Sequence, residues 1–503
     1  MARDGGAHLQ VGRRVRALVV GVLVLAGLGV PASGAAPTTP PNFPTAAWVT
    51  PIGPSHLSSP VISDVNGDGR PDVVTADLSG VVHVLDGRNG GDLPGWPRSV
   101  QVIPGQSVAV ESTPTVVDID RDGRKEIVVG AGSIEVDGQQ GGVVVFRADG
   151  TVRWRVRTMT VAGQNGVVGT PAFGDVNGDG WGEIVFGSYD HRLYVVDRNG
   201  RVLPGFPMDT LDTIWDSPAL FDVGKIGRKD IFLGGDASPG GPCGGWSWAG
   251  WLRRIRVTVM GPLILWTRCQ HQIFQSSPAI GDIGNDGRFE VVVGTGVGPS
   301  GDAWATNTLK AFRVEDGAPL PGWPVLLNGP IFGSPVIGDV NGDRRNDVVV
   351  AACAKCAKGR VWAIGPGGRV LWSVEPGAPE GYHVELLSTP ILVDLDGNGV
   401  NDVAVGGTGE FNFLRGSDGA RLYRPIERNR IMQNSAAVAN FGKGVGWRLV
   451  VQSWKGTRPT AGTTTVSSFP LPEAPAVKPA WPQWRKNRHH TGGPYPLVGA
   501  NGL

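Results

Sequence analysis

Gly169 to Asp190 reads GTPAFGDVNGDGWGEIVFGSYD, and the order within it decides how the rest of the chain is read. Thr170-Pro171 opens a short run to Gly174, Asp175 to Glu183 (DVNGDGWGE) is an acidic loop broken by glycines, and Ile184 to Ser188 (IVFGS) is an apolar β-type segment. Tyr189-Asp190-His191 then turns into Leu193 to Asp197 (LYVVD), and Arg198-Asn199-Gly200 turns into Arg201 to Pro207 (RVLPGFP). Short apolar runs separated by tight polar turns predict four strands in one such unit.

The unit recurs along the chain. A Ser or Thr precedes Pro60, Pro114, Pro171, Pro218, Pro278, Pro335 and Pro390, and four residues after each proline stands Asp64, Asp118, Asp175, Asp222, Asp282, Asp339 or Asp394. An eighth, degraded copy runs from Ser435 to Asn440, with Ala436 in place of proline and Asn440 in place of aspartate. From 64 to 440 is 376 residues over seven intervals, about 54 each. Four strands at this period predict the blade of a β-propeller; a β-helix coil is shorter and a β-sandwich about twice as long. The expected fold is all-β, a β-propeller of eight four-stranded blades, with seven as the alternative if the degraded copy forms no blade of its own. The repeats span residues 58–475, with a lead-in at 36–57 and a closing segment and tail at 476–503. Ala46 to Ile52 (AAWVTPI) is a candidate strand to complete the last blade.

Composition agrees. Glycine fills 78 of 503 positions and charged residues make up 18%, which disfavours both disorder and long helices. A net charge of +1, with no cluster of Lys and Arg beyond the N-terminus, argues against a nucleic-acid partner. Arg3, Arg13, Arg14 and Arg16 precede the apolar run Ala17 to Val30, and small residues follow. This is the order of a secretory signal peptide over 1–35; fourteen apolar residues are short for a bilayer span, so no stable membrane span is expected after cleavage. The expected location is therefore secreted or at the cell surface, where Cys243 with Cys269 and Cys353 with Cys356 are candidate disulfides.

The acidic loops carry the chemistry. Asp64, Asn66, Asp68 and Asp72 place oxygen ligands at positions one, three, five and nine, with Gly69 at six to permit a sharp turn. Alternate oxygen donors closed by a carboxylate suit a hard cation of calcium's size. The same spacing gives Asp118, Asp120, Asp122 and Glu126; Asp175, Asn177, Asp179 and Glu183; Asp339, Asn341, Asp343 and Asp347; and Asp394, Asp396, Asn398 and Asp402. Copy six has Arg344 where glycine is expected, which predicts a strained turn. Copy five keeps Asp282, Asp286 and Glu290 but has Gly284 at position three; copy four loses two ligands to Gly224 and Ile226, leaving Asp222 and Asp230 as expected turn caps. About five or six Ca2+ sites are expected. Any one such loop can instead be an ordinary Asx turn.

Repeats such as SSPVISDVNGDGRPDVVTAD and GTPAFGDVNGDGWGEIVFGSYD resemble the FG-GAP/VCBS repeats of bacterial secreted propellers, which are similar to the calcium-binding blades of integrin α subunits. The resemblance covers about 58–475 and implies a propeller, calcium in the matching loops and a role outside the cell. The tail from Trp481 to Asn487, ending His490-Thr491-Gly492, resembles a closing segment of exported propellers. The family includes adhesins, lectins and lyases, so it implies no one activity.

Two functions follow as expectations. One is a binding or adhesion module for a glycan or an extracellular protein, since the chain has no GxSxG, HExxH, phosphate-loop or dinucleotide-binding motif. His83 and His191, at equivalent inner-strand or turn positions, read as packing or surface residues and not as catalysts. The alternative is a calcium-assisted polysaccharide lyase or hydrolase, whose ligand platform would be Gly240 to Gln275: Trp246, Trp248, Trp251 and Trp266 to stack on sugars, and Arg253, Arg254, Arg256 and Arg268 to neutralise uronates. The competing reading of that stretch is a disulfide-stapled blade edge with core tryptophans. A quinone-dependent dehydrogenase is a third, weaker expectation.

Overall fold

A computed structural model describes residues 39–492, apart from 137, 238–242, 244–248, 297–306, 353–357, 381–385, 484 and 488–489. Within it the third repeat forms an antiparallel sheet in chain order: Ala172–Gly174, Glu183–Ser188, Arg192–Val196 and Met208–Asp209. Val185 pairs with Ala172 on one side and Val195 on the other. The second strand is buried along its whole length, because both faces pack on neighbouring sheets, and this is why it reads as a continuous apolar run instead of alternating. Each fully buried Val or Phe there contributes about 1.5–3 kcal/mol.

Six sheets have this four-stranded form and a seventh has eight strands. Counted as separate sheets the number is seven, which fits the alternative. The large sheet holds the seventh repeat and the degraded eighth together, because the long strand Arg421–Ile431 reaches Trp447–Lys455 through a single pair, Ile431 with Trp454. Copy eight nevertheless supplies strands, Ala437–Asn440, Trp447–Lys455 and Thr463–Pro470, and Trp48–Ile52 pairs with the last of these, Trp48 opposite Ser468. First and last strands thus share one sheet and close the ring.

The Ser/Thr before each proline has a physical role that the sequence reading did not assign. The Ser59 N–H donates to Thr113 Oγ1, Thr113 to Thr170, Thr170 to Ser217 Oγ and Ser217 to Ser277, at 2.9–3.3 Å. Ser334 donates likewise to Thr389 Oγ1 at 2.7 Å, and Ser435 to Ser59 Oγ at 3.0 Å. A girdle of backbone-to-hydroxyl bonds therefore joins six of the eight neighbouring repeat pairs, including the step from the degraded copy back to the first.

The tryptophans form a second belt farther out. Indole N–H groups of Trp48, Trp96, Trp154, Trp266, Trp323 and Trp372 donate to carbonyls of Gly87, Ala148, Arg198, Val314, Pro366 and Gly416, each in the next blade. Trp96 and Trp323 are the aromatics of two Gly-aromatic-Pro segments, and their expected packing between blades is observed.

The tail threads the centre. Trp481 exchanges backbone bonds with Leu392 of the seventh repeat, and the Pro482 carbonyl accepts from Val438 of the eighth. Gln483 Oε1 accepts from Ile62, His490 Nε2 lies 2.8 Å from the Pro114 carbonyl, and Thr491 and Gly492 carbonyls accept from Leu220 and Ile280. Arg485, 1% exposed, donates to the Pro278 carbonyl and faces buried Asp216. One segment of a dozen residues thereby touches the inner strands of six repeats.

Candidate functional site

Two sets of polar residues lie at opposite ends of the inner strands: the acidic loops where those strands end, and a cavity where they begin. In every loop the position-one aspartate accepts the N–H of position six, at 2.8–3.0 Å: Asp64 from Gly69, Asp118 from Gly123, Asp175 from Gly180, Asp222 from Gly227, Asp282 from Gly287, Asp339 from Arg344 and Asp394 from Gly399. Position six is left-handed, φ 80° at Gly69 and 66° at Arg344, so Arg344 carries the strain expected of a side chain there.

Position nine turns inward. Asp72, Glu126, Glu183, Glu290, Asp347 and Asp402 are all buried and accept the N–H of position two at 2.8–3.2 Å. Burial, reinforced by the other carboxylates of each loop, pushes Asp72, Glu290, Asp347 and Asp402 up to about 7 and Glu183 to about 8. In the seventh loop oxygens of Asp394, Asp396 and Asp402 lie within 4.8 Å of one another, and those of Asp118, Asp120 and Glu126 do so in the second. These donors are carboxylates and amides, with no imidazole or thiolate, and that set fits a hard divalent cation.

Two loops carry their own cation. In the second, Arg153 Nη1 lies 2.5 Å from Asp120 Oδ2 and 3.2 Å from Glu126 Oε1. In the fourth, Arg254 binds Asp230 Oδ2 through Nε and Nη2 at 2.8 and 2.6 Å, and Arg256 Nε binds Oδ1 at 2.8 Å. Asp222 is the turn cap expected, but Asp230 is the acceptor of two guanidinium groups.

The same contacts revise the reading of Gly240 to Gln275. Most of it is a long hairpin, Ala249–Thr258 with Gly261–Gln270, and Cys243 is bonded to Cys269. Trp251 is fully buried, with the Arg253 guanidinium over its ring, and Trp266 is 7% exposed. Arg268 donates to the Gly317 and Asp316 carbonyls. Trp251, Trp266 and these arginines are blade structure, as the disulfide-stapled reading expects; Trp246 and Trp248, and the Cys353–Cys356 pair, lie outside the described residues. His83 packs between Asp77 and Asp92, and His191 sits in a left-handed turn at φ 65°.

At the other end of the strands lies a cavity of about 450 Å³. Two residues before each girdle Ser or Thr the repeats diverge, to Leu57, Glu111, Val168, Trp215, Gln275, Phe332, Leu387 and Gln433, and all eight line it. Four polar atoms at its wall are buried without a hydrogen-bond partner: His56 Nδ1, Glu111 Oε1, Gln433 Oε1 and Asn434 Nδ2. The sequence reading missed this ring because it followed the constant positions of the repeat, whereas the signal is the variable position beside them.

Comparison with known proteins agrees on architecture. Residues 64–129 match the family model described as FG-GAP-like repeat. A search of curated protein sequences finds no match. Among solved structures, the Vibrio cholerae biofilm matrix protein Bap1 is 13% identical, with 86% of this chain and 92% of that one aligned and a TM-score of 0.56. Saccharomyces cerevisiae Sqt1 is 10% identical over 85% and 100%, TM-score 0.56, and the quinohemoprotein alcohol dehydrogenase ADHIIG of Pseudomonas putida HK5 is 14% identical over 86% and 78%, TM-score 0.50. At these identities the likeness is one of fold alone. Residues 64–129 carry an FG-GAP-like repeat, and the chain that contains them is a β-propeller.

Proposed function

We propose that the protein is an exported, calcium-stabilised propeller that acts as a binding or adhesion module, holding a glycan or an extracellular protein segment in the cavity where the inner strands begin. The supporting observation is where the repeats differ. The girdle hydroxyl, the proline and the position-one aspartate are near constant through the repeats, while the ring beside them mixes half-exposed aromatics, aliphatics, amides and a carboxylate around a cavity. An apolar-walled cavity with a few convergent polar groups is the usual form of a ligand site. Calcium would sit in loops one, three, five, six and seven, at the far end of the strands, and hold the scaffold. A glycan array and extracellular polysaccharides tested against the parent and a Trp215→Ala/Phe332→Ala variant decide the matter: binding should vanish in the variant while its calcium-dependent Tm is kept. Equal binding by both would overturn the cavity as the site.

A lyase or hydrolase is the second reading, favoured by one observation: an imidazole and two carboxylates meet in the cavity. The acidic loops lie at the other end of the inner strands, so calcium would assist such an enzyme by holding the scaffold. Product release from a bound polysaccharide, lost in Glu111→Gln, would establish it.

A further inference from the structure

We propose that His56, Glu111 and Glu135 form a divalent transition-metal site in the cavity wall, separate from the calcium loops and with coordination positions open to the cavity. Three stretches of chain converge there: His56 on the approach to the first inner strand, Glu111 on the approach to the second, and Glu135 in the loop after Glu126–Ala131. One ligand atom from each lies within 4.8 Å of the others, and His56 Nδ1 is 3.5 Å from Glu111 Oε1. Ligands about 2.0–2.2 Å from a tetrahedral metal stand about 3.4 Å apart, so this pair is already at coordination spacing. Glu135 is exposed and free to close the remaining gap.

An independent observation points to a cation. The Glu111 side chain is completely buried, and its Oε2 accepts the Ile134 N–H at 3.1 Å. Its Oε1 has no hydrogen-bond partner and borders the cavity, as does His56 Nδ1. Among the described residues that line the cavity there is no Lys or Arg, so a buried carboxylate and its acidic neighbour have only an imidazole to answer them. His56 offsets that charge only when protonated, and a buried carboxylate with so little counter-charge is costly. Two of the acidic loops answer the same problem with arginine; here the donor set is one nitrogen and two oxygens, which favours zinc, manganese or iron over calcium. Three protein ligands leave at least one position for water or for a group on a ligand held in the cavity. The inference stands on this geometry and not on the nature of the cavity's ligand.

Zinc titration by calorimetry, on the full chain in millimolar calcium so that the oxygen-only loops are loaded, tests it. The expected result is one zinc per chain, with affinity about tenfold or more weaker in His56→Ala and in Glu135→Gln. Cobalt in place of zinc should give a visible spectrum that His56→Ala abolishes. Glu135 is exposed, so its variant keeps the fold, and a calcium-dependent Tm equal to the parent's verifies that for both variants. Zinc binding of unchanged affinity in His56→Ala and Glu135→Gln, or no zinc binding by the parent, would overturn the assignment.

Discussion

The third and fourth loops begin with the same turn and end in opposite electrostatics. Asp175 and Asp222 each cap their position-six glycine at 2.8 Å, and Glu183 and Asp230 are both 1% exposed. Around Glu183 the neighbours are Asp175, Asp179 and the Asn177 amide, and burial pushes it up to about 8; around Asp230 they are two guanidinium groups. Position nine places a buried carboxylate that calls for a counter-charge: the fourth loop supplies it from its own strand, and the calcium reading proposed above has the third take it from solution. The second loop, with Arg153 between Asp120 and Glu126, sits between the two cases.

The largest effect should come from removing the external charge. At calcium tenfold above Kd each loaded loop contributes about 1.4 kcal/mol, so exhaustive chelation of five loops should cost about 7 kcal/mol and lower Tm by on the order of 10 °C. A Tm indifferent to chelation would put loops three and four in one class. The sign with pH also separates them. Carboxylates raised to about 7–8 in the metal-free fold favour folding below their ordinary values, and that stability is lost as pH rises toward 8. The chelated protein should therefore gain stability on acidification from pH 8 to 5, and the calcium-loaded protein should lose it, because protons compete with the metal.

Removing the internal charge comes next. Arg254→Met leaves Asp230 buried beside one partner and should cost about 3–5 kcal/mol; Arg254→Met with Asp230→Asn should recover much of the loss, and calcium should rescue neither. A rescue by calcium would show the fourth loop to be a metal site that arginine only screens. Thr113→Val removes one girdle acceptor and leaves the Ser59 N–H unsatisfied, an expected loss of about 1–3 kcal/mol by urea denaturation. Arg344→Gly should give the smallest change, a gain of about 1 kcal/mol from relief of the left-handed strain, without altering calcium stoichiometry.

The contrast also explains what sequence could reveal. The Pro-to-Asp offset and the odd-numbered donors are local, so the loops and the strand order around them were legible residue by residue. Arg254 and Arg256 were read as groups for a uronate; the chemistry of that reading was right and the carboxylate was wrong. A signal existed, since residues two apart on a strand share a face and Ile231 pairs with Ile255, which puts Asp230 beside them. That pairing, however, depends on the register of a hairpin, which local pattern does not state. The girdle, the tail in the channel and the cluster of His56, Glu111 and Glu135 join separate repeats, and no spacing within one repeat encodes them.

The tail also sets an order of events. Trp48 emerges 420 residues ahead of its partner Ser468, and the segment that links the inner strands comes later still. Individual blades can form from local hairpins as they are made, but the circle stays open until Thr463–Pro470 is in place to pair with Trp48–Ile52. A nascent or prematurely terminated chain is therefore an arc with two exposed sheet edges, and those edges are suited to meeting another arc. Arrival of Thr463–Pro470 beside Trp48–Ile52 is thus the step that converts a sticky strip into a closed ring.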